Sequence, residues 1–212
     1  SIFRRIMPRK ELFGREYFEE GQWKPHDSYE YWWPRIGLVL QYRRGGAVLD
    51  IGCAYGIFLK HLPDSFEKYG MDISRFAIQR AKSYLRNVVV ADVEEGIPFR
   101  REFDVITCFD VLEHLREPKR AMASIRRSLR KQGIAIIDTM LDTLFYRLTK
   151  PVFDRDPSHI SIPTPEDIGL WFKNFVILKK ICFLGVGPLE KFCLHVAPHV
   201  LARRVRLVVT KV

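Results

Sequence analysis

The sequence predicts a single α/β domain built around a mostly parallel sheet, and three observations support that fold class. Residues 47–51 form a short apolar run around one acid, which is typical of a buried parallel strand. Gly52 and Gly56 follow and permit a tight turn, after which an apolar-periodic segment opens a helix at Ile57. Strand-like and helix-like patterns then alternate as far as residue 139, which favours parallel strands joined by right-handed helical crossovers.

The glycine loop and a second acid indicate a site for a nucleotide-like ligand. A strand, a glycine loop and a helix in succession let such a ligand approach the backbone closely. Ala54 stands where a full dinucleotide fingerprint has its middle glycine, so the loop by itself is a partial match. Asp72 ends the second predicted strand, about 20 positions after Asp50, where an acid can hold ribose hydroxyls.

Five sequence blocks follow one another between residues 47 and 139. They are the glycine loop (48–56), the segment around the second acid (70–74), Val-Ala-Asp-Val (90–93), the segment containing Asp-Val-Leu-Glu-His (103–115) and the segment 129–138. This ordered set resembles the class I S-adenosylmethionine-dependent methyltransferases and is more specific than any one block. The resemblance implies a Rossmann-like domain with a seven-stranded, mostly parallel sheet, an antiparallel last strand and helices on both faces.

The same resemblance implies S-adenosyl-L-methionine as the cofactor and assigns part of it to each site residue. Gly52, Cys53 and Gly56 are expected to let the backbone approach the aminoacyl end. Asp50 is expected to order that loop or to accept from the ammonium group. Asp72 is expected to accept hydrogen bonds from both ribose hydroxyls.

Four further residues are assigned to the adenine and methionine parts of the cofactor. Ile73 is expected to lie against the adenine, Asp92 to accept from its amino group, and the amide of Val93 to donate to the ring. Phe109 is expected to close the pocket near the methionine portion. For each acid, the alternative is a role in capping a helix or ordering a loop.

Two histidines are candidates for a catalytic base. A sulfonium already activates the methyl group, so a base is needed only for a protonated acceptor. We place His159 on the acceptor side, whereas His114 follows Glu113 in a block where this family commonly has a histidine that is not a base. We expect no metal ligand among the site residues, but Asp110, Glu113, His114 and His159 leave a divalent metal site open as an alternative.

The chain is predicted to divide into an N-terminal aromatic segment (1–44) and a cofactor-binding domain (45–212) with an insertion at about 140–163. Residues 1–27 are expected to be irregular, and residues 29–42 to form a helix. The aromatic side chains either help to form the acceptor pocket or simply cover the sheet. The candidates for ligand contact in this segment are Tyr17, Tyr29, Trp33 and Arg35.

A basic helix is predicted over residues 116–131, with Gly133 as its C-terminal stop. Its basic face is expected on the outside of the sheet, so we interpret that face mainly as solvent-exposed. The remaining predicted elements are a helix over 165–172, strands over 176–184 and 205–212, and a helix or loop over 189–202.

The composition and net charge indicate the partners, the location and the cysteine state that we expect for this protein. The net charge of +10 permits an acidic partner, whether nucleic acid, a phosphorylated metabolite or an anionic lipid headgroup. Because no apolar run approaches the length of a membrane span and no secretion signal is visible, we expect a cytoplasmic protein. The 4 cysteines lack metal-type spacing and are expected to be reduced.

The leading functional hypothesis is methylation of a small-molecule or lipid-like acceptor, with the acceptor atom (oxygen, carbon or nitrogen) left open. The alternatives are an RNA or protein methyltransferase that uses the positive surface, and a cofactor-binding module without catalysis. Nucleic acid is a possible partner but is not favoured, since the sequence shows no Asn/Asp-Pro-Pro-aromatic block. The glycine loop lacks pyrophosphate spacing, which disfavours a nicotinamide dehydrogenase. The sequence does not determine the oligomeric state.

Overall fold

The computed structural model describes residues 9–20, 27–154, 156–183 and 202–212. Its helices, in chain order, are α1 (Arg9–Leu12), α2 (Arg15–Glu19), α3 (Tyr29–Tyr42), α4 (Ile57–His61), α5 (Arg75–Ala81), α6 (Pro118–Ser128), α7 (Leu144–Phe153) and α8 (Pro165–Trp171). Its strands are β1 (Gly46–Ile51), β2 (Phe66–Asp72), β3 (Asn87–Val90), β4 (Phe103–Phe109), β5 (Leu129–Met140), β6 (Phe175–Phe183) and β7 (Arg204–Lys211). A 3₁₀ turn, Leu112–His114, follows β4.

The described strands form one 7-stranded sheet in the order β3-β2-β1-β4-β5-β7-β6. Strands β1 to β5 pair in parallel, whereas β7 is antiparallel to both β5 and β6. The predicted α/β class, the seven strands and the antiparallel last strand are therefore confirmed. Strand order reverses between β1 and β4, and such sheets bind ligands beyond the carboxyl ends of the strands at that point.

Helices cover both faces of the sheet. On one face, α3, α4 and α5 pack into a core through Ile36, Phe58 and Ile78. On the other face, α6 and α8 pack into a second core through Ile125 and Trp171. Successive residues of β1 alternate between the two cores because side chains along a strand point to opposite faces.

Side-chain caps set the start of two helices near the carboxyl ends of the strands. The Ser74 hydroxyl accepts from the amide of Ala77 at 3.1 Å, so α5 begins directly after β2. Thr164 and Asp167 form a capping box in which each side chain accepts from the other residue's amide, at 3.1 and 3.0 Å. These caps satisfy amides that have no partner inside the helix.

The basic helix is shorter than predicted. Helix α6 ends at Ser128, and the fully buried Leu129 opens β5 by pairing with Phe103 of β4. The prediction that Gly133 stops a helix is wrong, because Gly133 lies within β5. A Cβ there would come 2.9 Å from the carbonyl oxygens of Arg130 and Phe103. Pairing with the neighbouring strand outweighed the helical pattern of the sequence.

Residues 9–20 were predicted to be irregular but form the two short helices α1 and α2. Phe13 and Phe18 are buried and pack in one cluster with Ala77 of α5. Helices of four or five residues are too short to show a hydrophobic period, which is why the sequence did not reveal them. The helix predicted over 29–42 is confirmed as α3, and the prediction for 189–201 lies outside the described residues.

None of the described helices has both the length and the apolar character that crossing a bilayer requires. The basic side chains along α6, which were predicted to face solvent, are exposed.

The close approach of β4 and β5 at Gly133 predicts a specific sensitivity. Gly133→Ala should lower the free energy of unfolding by about 1–3 kcal/mol, because the added methyl group meets two backbone oxygens that cannot move independently. Gly169→Ala is the matched control: nothing lies within 4 Å of its added Cβ inside α8, so this variant should be about 0.5–1 kcal/mol more stable. Urea unfolding measures both changes, and equal stabilities would contradict the register of β4 on β5.

Candidate active site

A cleft of about 330 Å³ opens beyond the carboxyl ends of β1, β2 and β4. It occupies the point where the strand order reverses, as expected for an open parallel sheet. The predicted site residues that line it are Asp50, Gly52, Cys53, Asp72, Ile73, Asp92, Val93, Phe109, His114 and His159.

The glycine loop after β1 folds back onto β2. The amides of Gly52 and Cys53 both donate to the carbonyl oxygen of Met71, at 2.8 and 3.1 Å. Gly52 has a φ of 72°, and a Cβ on it would lie 2.3 Å from a methyl carbon of Val111. The backbone conformation and the lack of space both require glycine at this position.

Gly56 does not line the cleft, in contrast to the prediction. It is the N-cap of α4 with a φ of 72°, and a Cβ there would lie 2.4 Å from Cδ1 of Leu85. Gly56 therefore allows close packing behind the loop and does not face the cleft. Ala54, at the position of the middle glycine, also has a positive φ of 48°. The loop thus keeps its left-handed turn without that glycine.

The Asp72 carboxylate is held by two backbone amides from different segments. Ala54 donates to Oδ2 and Ser74 donates to Oδ1, both at 2.8 Å. The side chain lines the cleft although the residue is only 8% exposed. Burial raises the pKa of Asp72, and the amide hydrogen bonds oppose that shift. Each oxygen retains a second lone pair that a hydroxyl group of a ligand can use.

Asp50 lies deeper in the same cleft. Thr107 on β4 donates to its Oδ1 at 2.7 Å. Burial raises the pKa of Asp50 to about 7, with the negative charge of Asp72 adding to the effect and the Thr107 hydrogen bond opposing it. A cationic group placed beside Asp50 would favour its ionised form.

Residues of the predicted adenine pocket lie together at the β3 side of the cleft. Ile73, Asp92 and Val93 all line it. The Asp92 side chain accepts from the amide of Glu94 at 3.0 Å, so it also orders its own loop. Both the predicted ligand role and the loop-ordering alternative are compatible with this placement.

Phe109 ends β4 at the other side of the cleft. Its ring packs edge-on against Phe58 of α4, with ring centroids 5.1 Å apart, and the residue is 8% exposed. The guanidinium of Arg35 lies over the same ring at 5.2 Å from its centroid. Phe109 thus forms a fixed apolar wall.

The N-terminal segment supplies an aromatic cover for the cleft. Tyr17 lines it, as predicted, and its hydroxyl donates to Asp156 at 3.5 Å. Burial raises the pKa of Tyr17, and Asp156 adds to the shift. Tyr29 and Trp33 were candidates for ligand contact, but they are 43% and 50% exposed and do not line the cleft. Instead their rings pack against each other, 5.5 Å apart.

Arg35 does not line the cleft, but it enters a network of ion pairs that includes Asp110, which does line it. Its Nε donates to Asp138 at 3.2 Å, and its Nη2 lies 3.4 Å from Asp110. Asp138 also accepts two hydrogen bonds from Arg206, at 2.5 and 2.7 Å, and Arg204 pairs with Asp110. The network therefore ties α3 to the ends of β4, β5 and β7.

His159 and His114 both line the cleft, with ring centroids 4.8 Å apart. The Nδ1 of His159 bonds to Oδ1 of Asp154 at 2.6 Å, and the Tyr146 hydroxyl donates to the other oxygen of Asp154. The Nδ1 of His114 lies 2.9 Å from the hydroxyl oxygen of Ser158. In each histidine, the hydrogen bond at Nδ1 therefore fixes the orientation of the ring.

Acidic neighbours decide the charge of His159. Burial by itself would lower its pKa, but the hydrogen bond to Asp154 and the charges of Glu113, Asp154 and Asp156 outweigh burial and raise it. Burial by itself would raise the pKa of Asp154. The hydrogen bonds to His159 and Tyr146 outweigh burial and lower that pKa to about 2. The pair is accordingly an ionised carboxylate beside an imidazole that holds its proton more tightly than usual.

The structure corrects the four-residue metal cluster considered as an alternative. Asp110 also lines the cleft, but its carboxylate pairs with Arg35 and Arg204 and does not belong to the cluster of candidate ligand atoms. The remaining three, Glu113, His114 and His159, place one candidate ligand atom each within 4.8 Å of one another. Burial raises the pKa of Glu113, and His159 opposes that shift.

Sequence reasoning missed several residues of the cleft. Trp32 lies four positions before the fully buried Ile36 of α3, so helical periodicity could have identified it as inward-facing in place of Trp33. Asp154, which does not line the cleft but holds His159, carried no comparable signal. Its contact with His159 depends on the path of the loop after α7. The other cleft residues that were missed include Phe13, Phe18, Tyr31, Tyr55 and Asp156.

Comparison with known proteins identifies the family. A profile described as a methyltransferase domain matches residues 17–175, well over half of the chain. The chain belongs to this methyltransferase family. The match covers the glycine loop, both acids at the carboxyl ends of β1 and β2, and the histidine pair. It confirms the predicted resemblance to class I S-adenosylmethionine-dependent methyltransferases.

Curated relatives of the methyltransferase match about half of its length or somewhat more. The ubiquinone biosynthesis O-methyltransferase of Schizosaccharomyces pombe is 33% identical over 117 residues, which cover 49% of this chain and 41% of that protein. The tRNA U34 carboxymethyltransferase of Campylobacter fetus is 27% identical over 148 residues, which cover 62% of this chain and 52% of that protein. The chain spans about half the length of the curated relatives that it matches.

Solved structures share the fold of this methyltransferase over its whole length. An S-adenosylmethionine-dependent methyltransferase from Clostridium acetobutylicum superposes with a TM-score of 0.63 at 15% identity, covering 100% of this chain and 99% of the other. A protein from Pyrococcus horikoshii gives a TM-score of 0.65 at 20% identity, again covering 100% and 99%. At such low identity the likeness shows the fold alone.

The pairing of His159 with Asp154 predicts a measurable change in titration. Asp154→Asn should lower the pKa of His159, because a neutral amide replaces the carboxylate beside Nδ1 and its negative charge is lost. The measurement is an NMR pH titration of the imidazole carbons. His61, whose ring contacts Asp27 instead, serves as the internal control and should titrate unchanged. An unaltered His159 titration would show that the two side chains are not paired in solution.

Proposed function

We propose that this methyltransferase binds S-adenosyl-L-methionine in the cleft and methylates an oxygen atom of a small, apolar or aromatic acceptor. The observation that carries the proposal is the pairing of two constellations in one cleft. Asp72 and the glycine loop line this cleft, and so does His159, which is paired with Asp154 behind it. The first suits an adenosine-bearing ligand, and the second suits removal of a proton from a hydroxyl group.

Asp72 is the residue best placed to hold the ribose. Its two oxygens are already directed by the amides of Ala54 and Ser74, and the lone pairs that remain are directed by the same geometry. Asp50 lies beside the glycine loop, where an ammonium group would favour its ionised form. Ile73, Asp92 and Val93 would surround the adenine.

The walls of the cleft favour an apolar or aromatic acceptor. Its lining includes the aromatic side chains of Phe13, Tyr31, Trp32 and Phe109. Aromatic surface binds planar or apolar molecules better than strongly polar ones. The name of the Schizosaccharomyces pombe relative, an O-methyltransferase of ubiquinone biosynthesis, also supports a hydroxyl acceptor on an apolar molecule.

His159 is proposed as the base. S-adenosyl-L-methionine supplies a methyl group already activated by the positive sulfur, and the sulfur keeps the electron pair of the carbon–sulfur bond when that group leaves. The acceptor oxygen forms the new bond to carbon and gives up its proton to Nε2 of His159. Asp154 holds Nδ1 and stabilises the imidazolium that results. Because the acids raise the pKa of His159, turnover should increase with pH through the upper part of the imidazole range.

One observation favours a second role for the same cluster. Asp154 and Ser158 bond to the Nδ1 atoms of His159 and His114, and Thr139 donates to Glu113 at 3.0 Å. This outer layer of partners is typical of residues that hold a divalent cation through Nε2 and a carboxylate. The ligand atoms lie up to 4.8 Å apart, whereas two ligands of one zinc ion are at most about 4 Å apart. A zinc ion would therefore require a small closure of the cluster.

Cofactor binding provides the first test. Asp72→Asn should weaken binding of S-adenosylhomocysteine about ten- to a hundredfold, because a neutral amide replaces a carboxylate that accepts from two hydroxyls. The measurement is isothermal titration calorimetry. Asp64→Asn changes a fully exposed aspartate outside the cleft and should bind like the wild type. Absence of any binding by the folded wild-type protein would overturn the proposed function.

Turnover provides the second test. Phenols and catechols serve as candidate acceptors, and the release of S-adenosylhomocysteine is measured. His159→Ala should reduce kcat about a hundredfold or more while cofactor affinity is kept, because only the base is lost. Asp154→Asn should shift the pH profile of kcat to lower pH.

Treatment with a chelator distinguishes the role of His159 as a base from its role as a ligand of a metal ion. Activity that survives exhaustive chelation assigns His159 as a base, and activity that is lost and returns with Mg²⁺ or Zn²⁺ assigns the cluster to a cation. Wild-type turnover by His159→Ala would exclude both roles.

A further inference from the structure

Helix α7 presents two adjacent leucines to solvent. Leu144 is 62% exposed and Leu148 is 71% exposed. They are four positions apart, so they lie side by side on one face of the helix. Pro151, one turn further along, is exposed as well. Single exposed apolar residues are common on protein surfaces, but an adjacent pair on one helix face forms a small apolar patch. We call this set the α7 patch.

The opposite face of α7 is fastened to the rest of the protein, so the helix cannot turn these leucines inward. Thr143 caps its first turn and donates to the carbonyl oxygen of Ala202 at 2.7 Å. Tyr146 is 2% exposed, donates to Asp154 and has Arg203 over its ring at 5.7 Å. These contacts hold α7 in the orientation in which the two leucines are exposed.

The charged residues of α7 itself are both basic. Helix α7 contains Arg147 and Lys150, both exposed, and no acidic residue. Arg147 pairs with Asp142 at 2.8 and 2.9 Å, while Lys150 lies 5.7 Å from the centre of the Tyr146 ring. The whole chain carries a net charge of +10. A helix with leucines and basic residues towards solvent has the pattern of helices that lie in the surface of an anionic bilayer.

We propose that the α7 patch docks this protein onto anionic lipid membranes, with Leu144 and Leu148 inserted below the headgroups and Lys150 among them. A protein partner or a second copy is disfavoured by size. A stable interface needs on the order of 800 Å² from each partner, and two leucines with a proline supply a small part of that area. A bilayer needs no shape complementarity, and so few insertions make the attachment weak and reversible.

The position of the patch connects membrane docking to the cleft. Tyr146, on the inner face of the same helix, holds Asp154, and Asp154 holds His159. Docking through α7 would thus place the acceptor side of the cleft close to the bilayer, where an apolar acceptor dissolves. This last step rests on the proposed function, whereas the docking itself does not.

Flotation with lipid vesicles tests the proposal on the intact chain. We expect the wild type to float with phosphatidylcholine vesicles that contain about a quarter phosphatidylglycerol, and to float less with pure phosphatidylcholine or at high salt. The double variant Leu144→Ser with Leu148→Ser should lower the partition coefficient about tenfold or more. Lys150→Glu should lower it on the anionic vesicles alone.

Leu170→Ser is the matched control, because Leu170 is 55% exposed on α8 and lies outside the α7 patch. It should float like the wild type. Flotation that is absent, or equal for the wild type and the double leucine variant, would overturn the proposal. So would a concentration-dependent dimer, seen by sedimentation velocity, that the leucine substitutions abolish. Circular dichroism of every variant shows that each is folded, and S-adenosylhomocysteine binding tests the proposed function separately from docking.

Discussion

The buried carboxylate of Asp72 is the constraint on which the cofactor end of this protein depends. It lies at the carboxyl end of β2 and accepts from one amide in the glycine loop and one at the start of α5. Loop and helix are thereby fastened to a single charged group whose burial is unfavourable without those amides. These hydrogen bonds fix the backbone around the cleft, which reduces the entropy that binding must remove.

A second carboxylate, Asp154, has a corresponding role at the acceptor end. It joins Tyr146 on the inner face of α7 to His159 in the following loop. The charge of the imidazole and its orientation consequently depend on a surface helix. If that helix rests on a bilayer, the same contacts that orient the base also set the distance between the base and the lipid surface. One short segment would then serve both chemistry and attachment.

Arg35 shows how the aromatic wall is positioned without touching a ligand. It lies over Phe109 and close to Tyr31 and Trp32, with its guanidinium 5.2 to 5.6 Å from the three ring centroids. Its ion pair with the buried Asp138 fixes α3 against the sheet. Removing one member of such a buried network is costly because the others are left without partners. The packing of the cleft wall is thus linked to charges at the ends of β4, β5 and β7.

The sequence by itself determined the α/β class, most of the strands, and the two acids that end β1 and β2, because hydrophobic periodicity and glycine turns are local properties of the chain. Only the tertiary structure decided the rest. Gly133 became a contact between strands, Gly56 turned away from the cleft, and Trp32 replaced Trp33 in its wall. The partner of His159 also emerged only in three dimensions, since contacts between loops depend on how the sheet and helices bring them together.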